Sequence, residues 1–278
     1  MYSLIDKVAI VTGGANGIGA HIVQELIKER TKYVAIIDID EASGIALENK
    51  IKTEHGKDAA GFFKCDITKD EELHGVFDEM VKNFGGIDVV VNNAAVASET
   101  MSAYKREIEI NFTATVSSTL KALELMRVDR GGKGGTIINV SSIAALTLLS
   151  PSVFIYAATK SAILHLSICM GKEDYYRHTK VRVLTMCFGA TDTEIVHKME
   201  SFDELINENM QKMIDMVKNE MFLQPANIPA QGVIQGYKTS ESGSTWLIDG
   251  GEITNITNKI HDAFDILSGG IEKYNKIA

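Results

Sequence analysis

Tyr156 and Lys160 stand one helical turn apart in Tyr156-Ala157-Ala158-Thr159-Lys160, so both side chains can face one site. They follow Ser141-Ser142, at the end of the apolar run Thr136 to Val140, and Asn111 lies further upstream. A free phenol ionises at about pH 10 and is a poor base at neutrality, but a nearby ammonium favours the phenolate. The pair is therefore suited to taking and returning a proton. Ser142, at the carboxyl end of a strand, is placed to hold the oxygen of a substrate, with Ser141 as the alternative.

A second group opens the chain. Thr12-Gly13-Gly14-Ala15-Asn16-Gly17-Ile18-Gly19 joins the strand-like Val8 to Val11 to a helical pattern of Ile22, Val23, Leu26 and Ile27. Glycines at 13, 17 and 19 let the chain turn tightly, approach a pyrophosphate and pack helix on strand, leaving the free N–H groups of a helix start directed at the anion. Asp38 ends the next apolar run nineteen residues beyond Gly19, where a carboxylate can bond both ribose hydroxyls and would repel a 2′-phosphate. This favours NAD over NADP. No Gly-Lys-Ser/Thr follows the turn, which excludes a phosphate-hydrolysing loop.

The elements that must carry these groups are legible as alternation. Val8 to Val11, Tyr33 to Ile37, Gly61 to Phe63, Val89 to Val91, Thr136 to Val140 and Val181 to Met186 are short apolar runs separated by helical patterns. That order predicts an α/β fold: a doubly wound, mostly parallel Rossmann-type sheet with helices on both faces. Leu73, Phe77, Met80 and Phe84 share a helix face, with Thr68 and Glu71 reading as a capping box and Gly85-Gly86 as its end. Ser201 and Glu204 read as a second box, opening an amphipathic stripe of Ile206, Met210, Met213, Ile214 and Val217 that suits either a core face or a wall over an apolar ligand. A last strand, Ser244 to Ile248, runs into a turn at Asp249-Gly250-Gly251. Only three prolines and no low-complexity stretch interrupt the 278 residues, so one domain spanning 1–278 is expected, with 194–222 as a variable segment over the substrate and 252–278 as a tail of open role.

Composition narrows the function. A net charge of −9 with no basic block lacks the footprint nucleic acid requires, and no apolar run approaches the roughly 18 residues of a membrane span. The amino terminus lacks the pattern of a secretory signal, and the expected location is the cytoplasm. Cys65, Cys169 and Cys187 are read as buried, reduced thiols, and no metal site is expected. His165 reads as a helix-packing residue, and the Asn-x-Ser/Thr matches at Asn111, Asn139 and Asn255 are discounted as glycosylation sites.

Taken together, Thr12 to Gly19, Cys65-Asp66-Ile67, Asn92-Asn93-Ala94, Asn111, Ser142, Tyr156 with Lys160, Gly189 to Thr193 and Asp249-Gly250-Gly251 resemble the short-chain dehydrogenase/reductase family over residues 7–251. The resemblance implies that Asp66 bonds the adenine amino group, that Asn93 and Ala94 line the adenosine ribose, and that Thr191 and Thr193 hold the nicotinamide carboxamide. Asn16, Ile18, Ile39, Cys65 and Ile67 would complete the cofactor wall. Tyr156 would be the acid/base, Lys160 would bind the nicotinamide ribose, Ser142 would orient the substrate oxygen, and Asn111 would anchor a relaying water. A homodimer or homotetramer is also implied.

Within the family, Gly131 to Gly135 and Leu223-Gln224-Pro225 are most similar to the NAD-linked hydroxyprostaglandin dehydrogenases and their insect alcohol dehydrogenase relatives. Four positions depart from the pattern. Ala95 replaces a glycine, Phe188 a proline, and Ser142 and Tyr156 are one residue further apart than is usual. Val153 replaces a glutamine that prostaglandin-oxidising relatives place before the tyrosine, and residues 146–155 are strongly apolar. The expectation is hydride transfer between a lipophilic secondary alcohol, or its ketone, and NAD, with Ser142, Val153 and Tyr156 facing the substrate. The rival is a non-catalytic NAD-binding scaffold that regulates a protein partner, marked by a pocket that Phe188 or the longer loop would block. A methyltransferase shares the glycine-rich turn but has no use for Tyr156 and Lys160.

Overall fold

The computed structural model describes residues 1–56, 58–148, 153–219 and 223–269. The chain runs β1 (Val8–Thr12), α1 (Gly17–Lys28), β2 (Tyr33–Asp38), α2 (Glu41–His55), β3 (Ala60–Lys64), α3 (Asp70–Phe84), β4 (Val89–Asn92), β5 (Ser98–Glu99), α4 (Tyr104–Ile108) and α5 (Thr115–Met126). It continues through β6 (Gly135–Ser142), α6 (Ile155–Met170), α7 (Glu173–Thr179), β7 (Val181–Phe188), α8 (Glu194–His197), β8 (Glu200–Ser201) and α9 (Glu204–Asn219). It closes with α10 (Asn227–Thr239), β9 (Thr245–Asp249), β10 (Glu252–Asn255) and α11 (Thr257–Ser268).

Eight strands form one sheet in the order β10-β9-β7-β6-β4-β1-β2-β3, parallel throughout except for the antiparallel edge strand β10. The apolar runs are continuous because each strand is covered on both faces. Alternation along β1 shows the division: Ala9 and Val11 join the cluster beneath α1 and α10, whereas Ile10 joins Leu73, Phe77 and Met80 of α3 on the other face. Strand order reverses between β1 and β4, and the crevice at the carboxyl ends of these strands is where ligands bind in such sheets.

A buried polar network fixes the middle of the sheet to the helices. Asn92 donates to Asn139 at 2.8 Å and to Thr119, and Asn139 donates to Ser167 of α6 at 2.9 Å. These bonds hold α6 in register with β6, which is how Tyr156 and Ser142 come to one place. They also bury Asn139, while Asn111 is equally inaccessible, so neither can carry a glycan in the folded chain.

Several local readings are corrected. Thr68 does not cap α3: Asp66 accepts both its N–H and its hydroxyl, and the helix begins at Asp70. Ser201 does not cap α9 either, because Asp203 accepts the Ile206 N–H instead, at 3.2 Å. Asp66 engages Thr68 itself, and Asp203 takes the helix donor that Ser201 would have capped. Cys169 is exposed rather than buried, since it lies on the outer face of α6, while burial pushes the Cys65 and Cys187 thiols up to about 12. Gly85, in the left-handed region, does end α3. The start of the tail is ordered: β10 pairs with β9, and Phe264 of α11 meets the His165 ring edge-on at 5.4 Å.

Candidate active site

The glycine-rich turn is built to bring a ligand close to backbone. Gly13 has φ +62, and a Cβ there would fall 2.8 Å from the Ala94 Cα; a Cβ on Gly19 would run into the Gly13 carbonyl. Asn16, the N-cap of α1, makes no side-chain capping bond, which leaves the first N–H groups of the helix for an anion. Asp38 accepts from Ala15 N at 3.0 Å and from Asp40 N at 3.0 Å, so its carboxylate is held rigidly at the turn. Asn93 donates its amide to the Thr12 and Gly13 carbonyls at 3.1 Å, bracing the turn from the neighbouring strand.

This turn forms one end of a cavity of about 630 Å³. Gly13, Asn16, Gly17, Ile18, Gly19, Asp38, Ile39, Cys65, Asp66, Ile67, Asn93, Ala94, Thr191 and Thr193 all border it, as do Ser142, Val153, Tyr156 and Lys160 at the other end. Asn111 is brought near but is not part of the wall. Its side chain is occupied with the loop after β4, accepting from Val96 N at 2.9 Å and donating to Val96 O at 2.8 Å. A water anchored at Asn111 would have to be held by main chain, at the widened helical turn of residues 109–114.

At the catalytic end both serines border the cavity, but Ser141 donates its hydroxyl to the Lys160 carbonyl at 2.8 Å and is committed to α6. Ser142 accepts from Ala144 N at 3.1 Å. Lys160 is buried and donates to the Val140 carbonyl at 3.1 Å, with its ammonium 5.6 Å from the centre of the Tyr156 ring. Burial brings Lys160 down to about 8, opposed by Cys187 and Glu107. The protein's own groups do not depress the phenol as the Tyr156–Lys160 spacing alone suggests. Burial pushes Tyr156 up to about 12; the Ser142 hydroxyl opposes this and Glu107 adds to it. Desolvation is the largest effect on the phenol, and it disfavours the charged form.

The far end of the cavity is apolar. Val153, Ile195, Val196, Met199 and Ile214 line it, and Ile206 and Met210 of α9 pack on Ala144 and Val153 behind it. The amphipathic stripe thus serves both expected roles, its buried face closing the pocket; the side chains of Met213 and Val217, and residues 149–152, lie outside the described residues. Phe188 forms part of the wall and leaves the cavity open. Among the described residues no cluster of potential metal ligands occurs, and no helix is long and apolar enough to cross a membrane.

Three residues of consequence, Arg106, Glu99 and Glu107, were not singled out from the sequence, and a fourth, Gln224, was noted only as part of Leu223-Gln224-Pro225. Arg106 of α4 donates to both oxygens of Asp66, at 2.7 and 2.6 Å, and to Thr68, so the adenine partner implied for Asp66 already carries an ion pair. Gln224 ties the Thr191 hydroxyl to the Ile248 carbonyl at 3.2 and 2.9 Å. Glu99 accepts from Phe154 N and Tyr156 N at 3.0 and 2.9 Å, fixing the start of α6. Glu107 is buried with no hydrogen-bond partner on either oxygen. Glu107 left no sequence signal, since Lys105, Arg106 and Glu109 beside it are charged as well.

The sheet order, the glycine-rich turn at the strand reversal, and a Ser-Tyr-Lys set across one cavity define a dinucleotide-dependent oxidoreductase architecture. The chain belongs to the short chain dehydrogenase family, whose sequence profile matches residues 7–204. It is 32% identical over 235 residues to 15-hydroxyprostaglandin dehydrogenase [NAD(+)] of Bos taurus, an alignment covering 82% of this chain and 85% of that one. It is 25% identical over 263 residues to alcohol dehydrogenase 1 of Ceratitis cosyra, covering 93% and 98%. Among solved structures, a dehydrogenase/reductase from Sinorhizobium meliloti 1021 superposes with TM-score 0.73 at 25% identity, covering 90% of this chain and 96% of that one. Rossmann-type fold, oxidoreductase class and family all follow.

Proposed function

We propose that this chain is an NAD-dependent dehydrogenase/reductase that interconverts a lipophilic secondary alcohol and its ketone, with Tyr156 as the acid/base. The observation that carries this reading is a single cavity with the glycine turn and Asp38 at one end and Ser142, Tyr156 and Lys160 at the other, beside an apolar wall. The fit to NAD rests on the free N–H groups at the start of α1, the close approach that Gly13 and Gly19 permit, and the Asp38 carboxylate at the adenosine end. When bound, the nicotinamide supplies the hydride acceptor, and its positive charge favours the phenolate.

Ser142 holds the substrate oxygen, and Tyr156 takes its proton during oxidation and returns it during reduction. Lys160, held by the Val140 carbonyl, keeps its charge directed at the phenol. Thr191 and Thr193 serve the carboxamide end, with Gln224 fixing Thr191. Asp66 reaches adenine in competition with Arg106. Val153, in place of a polar residue, selects substrates with no hydrogen-bonding group at that point. A homodimer or homotetramer, resting on the family resemblance, and a cytoplasmic location, resting on the amino-terminal pattern, complete the reading.

The test follows nicotinamide absorbance with purified protein, NAD or NADP, and a panel of prostaglandins, steroids and isoprenoid alcohols. Tyr156→Phe should bind NAD as before and lose turnover by about 10²- to 10⁴-fold. Full turnover by Tyr156→Phe would refute the assigned role. NAD binding with no turnover across the panel would favour the scaffold; of the two features that would mark it, Phe188 leaves the cavity open.

A further inference from the structure

We infer that Glu99 is a positioning residue that couples the apolar end of the pocket to the acid/base. It holds the start of the helix that carries Tyr156, and it is itself held by the variable segment that walls the pocket. An alcohol long enough to seat against that segment therefore steadies Tyr156, and a short one does not. The inference rests on the proposed role of Tyr156 and on the apolar substrate class.

The first N–H groups of a helix have no partner within it. At α6 the N-cap position is Phe154, whose side chain can accept nothing, and the acceptor comes instead from β5, 55 residues upstream. Glu99 is 1% exposed, and its two oxygens accept from Phe154 N at 3.0 Å and from Tyr156 N at 2.9 Å. A serine or aspartate at the N-cap itself would do this without burying a distant carboxylate, so capping alone does not account for the arrangement. What the distant carboxylate adds is a link between elements.

Continuous bonds lead from Glu99 to the pocket wall. Glu99 pairs with Ser201 in the parallel β5–β8 ladder, and Ser98 with Glu200. Ser201 is fastened in turn to α9: its N–H donates to the Asn207 side-chain oxygen at 2.7 Å, and its carbonyl accepts from the Asn207 amide at 3.1 Å. Phe202, the next residue, meets the Phe154 ring at 6.4 Å, so the segment touches the capped turn a second time. From the same segment Met199 and Ile214 border the cavity, while Ile206 and Met210 pack on Val153, with Tyr156 and Ala157 against the same cluster.

An apolar chain lying on Met199 and Ile214 thus bears on β8, β8 on Glu99, and Glu99 on the first turn of α6. Binding of the remote part of a substrate is converted into orientation at its reacting end, where a misplacement of about 1 Å costs about 100-fold in rate. Glu99 itself does not border the cavity and acts only through the main chain of Tyr156.

The test uses the full chain with NAD, single-turnover formation of NADH, and two secondary alcohols, 2-decanol and 2-butanol. The wild type should react faster with 2-decanol. Glu99→Gln leaves one oxygen for two N–H donors; the 2-decanol rate should fall about 10- to 100-fold and the 2-butanol rate less, with NAD affinity as in the wild type. Glu99→Asp, which keeps both oxygens, should restore part of the loss. Asn207→Ala cuts the tie to α9 while leaving the Glu99 bonds in place, and it too should bring the ratio of the two rates towards one. Hydrogen exchange gives a readout independent of turnover. The Phe154 and Tyr156 amides should be protected in the wild type and further protected by 2-decanone, and that further protection should vanish in Asn207→Ala. A folded Glu99→Gln that slows both alcohols equally, or neither, would overturn the inference. So would a wild-type rate ratio in Asn207→Ala, which decides the matter even if Glu99→Gln fails to fold. If the wild type oxidises neither alcohol, the failure belongs to the dehydrogenase reading, and the effect of 2-decanone on the two amides still decides the link: its presence supports the coupling and its absence overturns it. Full turnover by Tyr156→Phe would likewise remove the acid/base role without touching the exchange result.

Discussion

Asp38 offers the sharpest test of cofactor choice, because its charge and its hydrogen bonds make separable predictions. The carboxylate is fixed by Ala15 N and Asp40 N, both at 3.0 Å, and cannot swing away from a ligand in the cavity. A phosphate dianion on the adenosine ribose would lie about 5 Å from it; with an effective dielectric of about 40 to 80, the repulsion is about 2 to 3 kcal/mol. Asp38→Asn removes that repulsion and weakens the charge-assisted bonds to the ribose hydroxyls. The ratio of kcat/KM for NAD over NADP should fall by about 30- to 150-fold, a conversion of the same energy. The switch will be partial, because Asp40, whose carboxylate accepts from Asn16 at 2.8 Å, keeps a second negative charge nearby. Raised salt should shrink the difference between wild type and variant. One amide oxygen cannot serve both N–H donors, so a loss of about 1 kcal/mol in unfolding free energy should accompany the change. Steady-state kinetics with both cofactors, alongside thermal unfolding, reads all three effects. An NAD/NADP ratio within about threefold of wild type, in a folded variant, would show that Asp38 does not set the preference.

Two further outcomes follow from packing and from burial. Met210→Ala opens a hole beside Ala144 and Val153 and should cost about 2 kcal/mol, at the low end for methionine because the cluster is small and bordered by the pocket. The KM for an apolar alcohol should rise while NAD affinity, measured by titration, stays as it was; an equal loss of NAD affinity would contradict the placement of α9. Glu107, raised to about 7 in the fold from an ordinary 4.5, binds more protons folded than unfolded, so stability should fall as pH rises from about 4.5 to about 7. The penalty at neutrality amounts to up to about 3 kcal/mol, and Glu107→Gln should flatten that part of the curve in denaturant titrations; an equally steep curve in the variant would place the titrating group elsewhere.

What the sequence makes legible here is chemistry carried by neighbours in the chain. Tyr156 and Lys160 meet because four residues make a helical turn, and the glycines at 13 and 19 declare a backbone approach that no other residue permits. The parallel sheet is visible because strands buried on both faces must be apolar throughout. Capping patterns failed at Thr68 and Ser201 for a local reason: each hydroxyl had a carboxylate, Asp66 or Asp203, within two residues that engaged the chain instead. The order of α11 escaped because the ring that Phe264 meets belongs to α6.

The larger omission has another cause. Arg106 reaches Asp66 across 40 residues, Glu99 reaches Tyr156 N across 57, and Gln224 reaches Thr191 across 33, so no window of sequence contains both partners of any of these bonds. Each bond positions a recognisable site residue through one to which the sequence assigned no role in the site. Glu107 belongs to the same class but differs in having no partner to find. Its neighbours Lys105, Arg106 and Glu109 are charged too, so no local pattern sets Glu107 apart; its burial comes from α6 and β5, which lie elsewhere in the sequence. The motif residues say which reaction family this is; what holds them in place is written in residues far from them in the chain.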